Sequence, residues 1–233
     1  MTLPYFYVAQ FAGDTLQLDE ETSKHIVGVL RMKMNQELLL TDGKGKKALA
    51  FITDDNRKRC IVRIRNTEYV HIKEPRVAIG ISLIKNSSRF EWFLEKATEI
   101  GVHSIYPLIC ARTEKEKFRF DRMHQILISA LIQSQQCWLP VLSEPVELEN
   151  FIQQKQFENR LIAHCMPEKK SSLNDIDRSK DTLILIGPEG DFTENEINQS
   201  LQKGFFPVTL GTTRLRSETA GIVAAALLCC QND

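Results

Sequence analysis

The sequence predicts an α/β protein: a small β-rich N-terminal domain, a short linker, and a larger domain in which strands alternate with helices over a largely parallel sheet. Two observations predict it. Up to Ile72, apolar residues alternate with polar ones between tight turns; from Arg76 onward, short apolar runs alternate with stretches whose apolar residues recur at helical spacing. Lys73-Glu74-Pro75 reads as the linker, because proline disfavours helix in the residue before it and has no amide to give a sheet. The expected domains are 1–72 and 76–233, joined by 73–75.

In the first domain, Thr41-Asp42-Gly43-Lys44-Gly45 is a turn between Leu38-Leu39-Leu40 and the run from Ala48 to Ile52, since Asp-Gly accepts the positive φ of hairpin turns. From Arg59 to Arg65 the residues alternate, with Cys60, Val62 and Ile64 on one strand face and Arg59, Arg63 and Arg65 on the other. One face feeds a core, the other is cationic, and a small β-barrel is the natural closure for such strands.

In the second domain, Val77 to Ile84 is an apolar strand. Phe90, Phe93, Leu94, Ala97 and Ile100 mark a helix, opened by a capping box at Ser88 and Glu91 and ended by Gly101. Val102 to Ile109 is the next strand, and Met123, Ile126, Leu127, Ala130 and Leu131 mark a longer helix. Strands follow at Leu161 to Cys165, Thr182 to Ile186 and Pro207 to Leu210, with helices from Glu194 to Lys203 and from about Glu218 to Cys230. Ligands of such sheets sit beyond the carboxyl ends of the strands, which directs attention to the loops after Ile186 and Leu210.

With 233 residues, 42% hydrophobic and 26% charged, the chain is of the ordinary globular kind, and disordered and collagen-like classes are excluded. No apolar run is long enough to span a bilayer, and the opening from Met1 to Tyr5 lacks the basic and apolar segments of a leader, so a cytoplasmic protein is expected. Cys60, Cys110, Cys137, Cys165, Cys229 and Cys230 form no C-x-x-C and pair with no nearby histidines. Reduced, mostly buried thiols and no metal site are expected. Formal net charge is zero, so any nucleic-acid contact must come from local charge.

The first loop runs from the apolar strand Leu183 to Ile186 into Gly187-Pro188-Glu189-Gly190-Asp191-Phe192, and Thr193 with Glu196 forms a capping box for the helix that follows. Two glycines let backbone groups approach a flat ligand, although on this stretch alone an ordinary strand-to-helix turn is the favoured reading. The second loop, Leu210-Gly211-Thr212-Thr213-Arg214-Leu215-Arg216-Ser217-Glu218-Thr219-Ala220, enters an Ala-rich helix too apolar all round for a surface. Ser217 fits its N-cap and Glu218 its first turn, but capping leaves Arg214 and Arg216 unexplained. Neither loop is a dinucleotide fingerprint or a P-loop, so the residues alone give an α/β ligand-binding domain with an unidentified ligand.

Leu185 to Glu196 and Leu210 to Ala220 together resemble the ribosomal RNA small subunit methyltransferase E family, of the SPOUT class. His25-Ile26 with Val29-Leu30-Arg31, and the helix Phe93 to Val102 with Lys96-Ala97-Thr98-Glu99-Ile100-Gly101, resemble two further family signatures, so the similarity spans nearly the whole chain. The resemblance implies a PUA-like RNA-binding barrel, a C-terminal domain threaded into a trefoil knot, a homodimer, and methylation of N3 of a specific uridine in 16S ribosomal RNA. It implies S-adenosylmethionine as the cofactor, held by Ile186, Gly187, Glu189, Gly190, Leu210, Gly211 and Leu215, with Ser217, Thr219 and Ala220 closing the pocket. The chain departs from the family pattern at Asp191, where glycine is common, at Thr212-Thr213-Arg214, and at Gln136 in place of a frequent arginine.

Uracil N3 carries a proton and is a poor nucleophile until it leaves, so the expected task is deprotonation and in-line positioning, with no metal. Arg216 is the expected partner of the developing negative charge, and Glu218 either accepts the proton or orients Arg216, its helix-capping role standing first. The expected RNA surface is Lys44, Lys46, Lys47, Arg57, Lys58, Arg59, Arg63 and Arg65, to which the resemblance adds His25 and Arg31. Rival readings are a SPOUT-type ribose 2′-O-methyltransferase on another RNA, and an RNA-binding module of the same fold without methyl transfer.

Overall fold

The computed structural model describes residues 3–114, 117–153, 156–167 and 169–230. Met1 and Thr2 of the opening segment lie outside them. The chain divides into two compact units, Met1–Ile72 with Leu131–Leu139, and Lys73–Ala130 with Pro140–Asp233.

The first unit carries β1 (Tyr5–Tyr7), β2 (Thr15–Gln17), α1 (Glu20–Ser23) with a π-helical turn at Lys24–Val29, β3 (Glu37–Thr41), β4 (Lys46–Asp54) and β5 (Ile61–Tyr69). They form a mixed sheet in the order β1-β3-β4-β5-β2, parallel only between β1 and β3. The Asp-Gly turn joins β3 to β4 as an antiparallel pair, and Asp42 accepts hydrogen bonds from the Lys44 and Lys46 amides at 2.7 and 3.1 Å. The period-two reading of β5 holds: Cys60 and Val62 are fully buried and Ile64 packs against the core, while Arg59, Arg63 and Arg65 are exposed.

The second unit carries β6 (Val77–Ser82), α2 (Ser87–Ile100), β7 (Ser104–Ile109), the greater part of α3 (Phe120–Ser134), β8 (Val141–Leu142), β9 (Val146–Glu147), α4 (Leu148–Phe151), β10 (Asn159–Ala163), β11 (Ser171–Ser172), β12 (Thr182–Ile186), α5 (Glu194–Gln202), β13 (Phe206–Thr209) and α6 (Ser217–Cys229). Its sheet runs β11-β13-β10-β12-β6-β7-β8, with β9 also on β7, and every pairing among the described residues is parallel. Every residue of β6 and of β12 is buried, as strands covered on both faces require. Ala78, Leu183 and Leu185 join Phe151 of α4 and Ile197 of α5 in one core, whereas Ile81, on the opposite face of β6, lies under α6 near Gly221.

Three local expectations change. The N-cap of α2 is Asn86, whose side chain accepts from the Ser88 amide at 2.9 Å, so the Ser88 and Glu91 box is displaced by a residue that also caps well and stands one position before the helix. Gly101 ends α2 at φ 96, and the chain re-enters the sheet at Ser104 rather than Val102 because the Val102 amide still bonds the helix at Ala97. Helix α6 is not sealed all round: Gly221, Ala224, Ala225 and Leu228 are buried, while Ile222, Val223, Ala226 and Leu227 are half-exposed. All six cysteines are free, and Cys165 and Cys230 are exposed. Burial pushes the Cys60 thiol up to about 11 and those of Cys110 and Cys229 up to about 12.

The amino ends of β6 and β12 are fastened by Arg76 and Asp181, 105 positions apart; Asp181 accepts from the Arg76 amide at 2.7 Å and from its Nε at 2.8 Å. Burial pushes the Asp181 carboxyl up, but the Arg76 hydrogen bonds and charge outweigh it and hold the group below its ordinary value. A carboxyl depressed in the fold stabilises above its unfolded pKa of about 3.9, and that contribution fades as pH falls further. Asp181→Asn should therefore cost about 1 kcal/mol at neutral pH, the low end because Arg76 is half in water, with the gap to wild type closing below about pH 4 in urea titrations. A Cβ on Gly221 would stand 2.6 Å from Cε2 of the fully buried Phe93. Gly221→Ala should lose about 1–3 kcal/mol in the same titrations despite alanine's helix propensity, and Phe93→Leu in the same chain should recover part of it.

Candidate functional site

Strand β10 lies between β12 and β13, with Ala163 in register with both Ile186 and Val208. The loops leaving these three strands therefore open side by side at the carboxyl end of the sheet. They enclose a cavity of about 510 Å³, within the range of small-ligand sites.

The first loop is built by its own sequence. Strand β12 stops at Ile186, and the Asp191 amide closes a turn onto the Pro188 carbonyl at 2.9 Å. Thr193 and Glu196 form the expected capping box of α5, and Glu196 also accepts from the Ala111 amide at 2.8 Å, which fixes the helix to the segment after β7. Asp191 adopts φ 65, a left-handed backbone that aspartate tolerates better than most residues. Its carboxylate takes the Cys165 amide at 2.7 Å and its neighbour Phe192's amide at 2.8 Å. The departure from glycine at this position thus keeps the backbone conformation and adds a strap to the loop after β10.

The second loop, from Leu210 to Arg216, is anchored at its far end. Helix α6 begins at Ser217 with Arg216 as its N-cap residue, so Ser217 is not the cap. Its hydroxyl is turned instead into the protein, donating to the Gly187 carbonyl at 2.7 Å in a buried hydrogen bond. That bond ties the start of one loop to the end of the other. Thr212, Thr213 and Arg214 are exposed at the cavity's outer rim.

Of the residues expected to hold a cofactor, Ile186, Gly187, Glu189, Leu210, Gly211, Leu215, Ser217 and Ala220 line the cavity. Gly190 stands just outside, its carbonyl taken by Arg112, and Thr219 lies on the first turn of α6 behind the lining. Arg216 is exposed at the helix start. Glu218 is buried, with Oε1 3.7 Å from Nε of Arg89 on α2 and Oε2 without a hydrogen-bond partner. The sequence reading missed Arg89, Arg112 and a third wall, His164, Cys165 and Lys170 from the loop after β10. The signal for that wall was the apolar strand Leu161 to Ile162 itself, which ends at the same level as β12.

In the first unit, Arg57, Lys58, Arg59 and Arg63 are exposed, as are His25, edge-on to Phe6, and Arg31, at φ 55. Lys46 points inward: its ammonium donates to the Phe11 carbonyl at 2.9 Å and lies over that ring. Lys47 pairs with Glu68 at 3.3 Å and Arg65 with Glu37 at 2.9 Å, while Lys44 is exposed in its turn. Among the described residues no group of acidic, histidine and cysteine side chains is disposed to hold a metal, and no helix is long and apolar enough to cross a membrane.

Removing the Ser217 hydroxyl leaves the Gly187 carbonyl buried without its donor. Ser217→Ala should cost about 1–3 kcal/mol, a fall of roughly 2–12 °C in thermal midpoint by calorimetry, whereas Thr219→Ala on the same turn should cost less than half of that.

Comparison with known proteins gives this site its context. Residues 72–229 match the model of an RNA methyltransferase domain, and residues 18–65 that of an RNA methyltransferase PUA domain. A probable rRNA-methyltransferase from Porphyromonas gingivalis superposes with a TM-score of 0.91 at 36% identity, over 98% of this chain and 99% of that one. A ribosomal RNA small subunit methyltransferase E from Neisseria gonorrhoeae, in a crystal structure bound to S-adenosyl methionine, superposes with a TM-score of 0.87 at 31% identity, over 97% and 96%. The enzyme of that name from Mesomycoplasma hyopneumoniae is 29% identical over 93% of this chain and 95% of its own. With one domain model spanning most of the chain and full-length relatives above 30% identity, this chain belongs to the ribosomal RNA small subunit methyltransferase E family.

Proposed function

We propose that this chain uses S-adenosylmethionine to methylate N3 of a specific uridine in 16S ribosomal RNA of the small subunit. The observation that carries the reading is the cavity at the ends of β10, β12 and β13, walled by the two loops that bear the family's motifs. Its donor set suits the cofactor: carbonyls and amides of glycine-bearing turns for an adenine edge, apolar Ile186, Leu210 and Leu215, and the carboxylates of Glu189 and Asp191 beside a cationic ligand. Bound there, the cofactor supplies a methyl group on a positively charged sulfur.

The chain's own residues supply the rest. Arg216, exposed at the start of α6, balances the negative charge that appears on the uracil when N3 loses its proton. Glu218, in the same turn and near Arg89, has a buried carboxylate oxygen with no hydrogen bond and is the residue we assign as proton acceptor or as the orienting partner of Arg216. Gly190 and Thr219 support the pocket from just behind its lining.

Residues 1–72 serve as a PUA-like, barrel-type RNA-binding domain, with His25, Arg31, Lys44, Arg57, Arg59 and Arg63 meeting phosphates and Lys46 buttressing the surface from Phe11. Residues 76–233 are the catalytic domain, with a trefoil knot at its end and a homodimer in which the half-exposed Ile222, Val223, Ala226 and Leu227 of α6 are covered. The free cysteines suit the reducing cytoplasm, where ribosomal RNA is made.

Mass spectrometry of nucleosides from 16S ribosomal RNA treated with the protein should show N3-methyluridine. A 2′-O-methylated nucleoside would replace the reading by a ribose methyltransferase, and no new nucleoside would make the protein a binding module. Arg216→Ala should lower methyl transfer by roughly 100- to 1,000-fold while calorimetric binding of S-adenosylmethionine stays within about threefold of wild type.

A further inference from the structure

The end of β5 carries a group of aromatic side chains that the methyl-transfer reading leaves unused. Tyr69 is 58% exposed and Val70 39%, at the point where β5 has outrun the core and every residue from Asn66 onward is exposed. The Tyr69 ring stands edge-on to His71, with centroids 5.6 Å apart, and edge-on to Trp138, at 5.9 Å. These three rings belong to one compact unit, since residues 131–139 fold with residues 1–72.

The cluster is held in place. Trp138 Nε1 donates to the Val70 carbonyl at 2.9 Å, and the indole lies so close to Gly45 that a Cβ there would be 2.6 Å from Cζ2. Gly45, at φ 92, also gives its amide to the Cys137 carbonyl and receives the Val70 amide on its own carbonyl, both at 2.8 Å. The residue next to it, exposed Lys44, bridges to Trp138 across this short ladder. A pinned indole, an exposed phenol edge-on to it and a cation at the same turn make a surface that differs in kind from a scattered apolar residue.

We propose that Tyr69, with His71 and Trp138 as its supporting rings, is a stacking platform for an unpaired nucleobase of the RNA substrate, and that Lys44 takes the adjoining phosphate. Stacking on a fixed ring costs little conformational entropy, tolerates any base because each has a π-face, and pairs naturally with a neighbouring cation. An aliphatic protein partner would gain nothing from the lysine at the rim. The inference rests on the chain's acting on RNA and adds the place where a single-stranded segment is gripped outside the methyl-transfer cavity.

The test uses the full chain and a short fluorescein-labelled oligouridylate, followed by anisotropy, with S-adenosylmethionine titrated separately by calorimetry. Tyr69→Ala should weaken oligonucleotide binding roughly 5- to 100-fold, Tyr69→Trp should hold within about threefold of wild type, and the Trp138 share of the fluorescence, isolated in a Trp92→Phe chain, should be quenched on binding. Lys44→Ala should reduce the salt dependence of binding without abolishing the quenching. Equal affinities for wild type and Tyr69→Ala, or no binding of the oligonucleotide by wild type, would overturn the proposal. So would a Tyr69→Ala change confined to self-association in sedimentation, which would make the patch a contact between copies. Loss of S-adenosylmethionine binding in wild type would sink the methyltransferase reading and leave the stacking result standing.

Discussion

The candidate site depends on one buried hydrogen bond, from the Ser217 hydroxyl to the Gly187 carbonyl. Strands β12 and β13 do not touch; β10 lies between them and sets the spacing of their ends, but beyond those ends no ladder bond joins the two loops. The Ser217 bond joins the start of the first loop to the end of the second directly. In a buried setting its loss leaves a carbonyl without compensation, so the geometry is enforced more by the penalty for opening than by the gain from closing. Asp191 does the same on the other side, binding the loop after β10 through the Cys165 amide. The cavity is therefore framed by side chains that grip backbone, leaving much of the cavity-facing main chain to contact a ligand.

That economy explains why much of the site was legible in the sequence and part of it was not. Strand-to-turn motifs with two glycines, a capping box and an apolar helix are patterns of local chemistry, and they drew attention to Ile186 to Gly190 and Leu210 to Ala220, after the two strands that flank β10. What they could not locate were partners brought in by topology. Arg89 reaches Glu218 only because α2 packs beside α6, Arg112 reaches Gly190 across the sheet mouth, and His164, Cys165 and Lys170 arrive with the third strand. No spacing within one segment encodes such meetings. The N-cap role given to Ser217 failed for a related reason. Serine before an apolar helix reads as a cap, but here the helix takes one more residue and turns the hydroxyl inward.

The fold was legible in the same uneven way. The alternation of β5, the Asp-Gly turn and the largely apolar, fully buried β6 and β12 follow from side-chain period and burial. The short strands β8, β9 and β11, two residues each, carry no periodicity long enough to read. Residues 131–139, which the sequence reading did not join to the first domain, fold with the N-terminal unit, where Tyr5 and Gly45 hold the backbone of Gln136 and Cys137. Exposed apolar atoms on α6 contradict the expectation of a sealed helix in a single chain, and they mark the face along which the chain's apolar content exceeds what its own core uses.

The order of strands in the second sheet also has a bearing on the chain's synthesis. Strand β6 is its first element to emerge, yet one of its two neighbours is β12, whose residues are added about a hundred positions later, as the Arg76 and Asp181 clasp measures. Until then this interior strand of the sheet has one edge unpaired, and its largely apolar side chains lack their neighbours on that flank. Local contacts can assemble β6, α2 and β7 early, but the second edge of β6 waits for β12, so the nascent polypeptide carries an open strand edge over that interval.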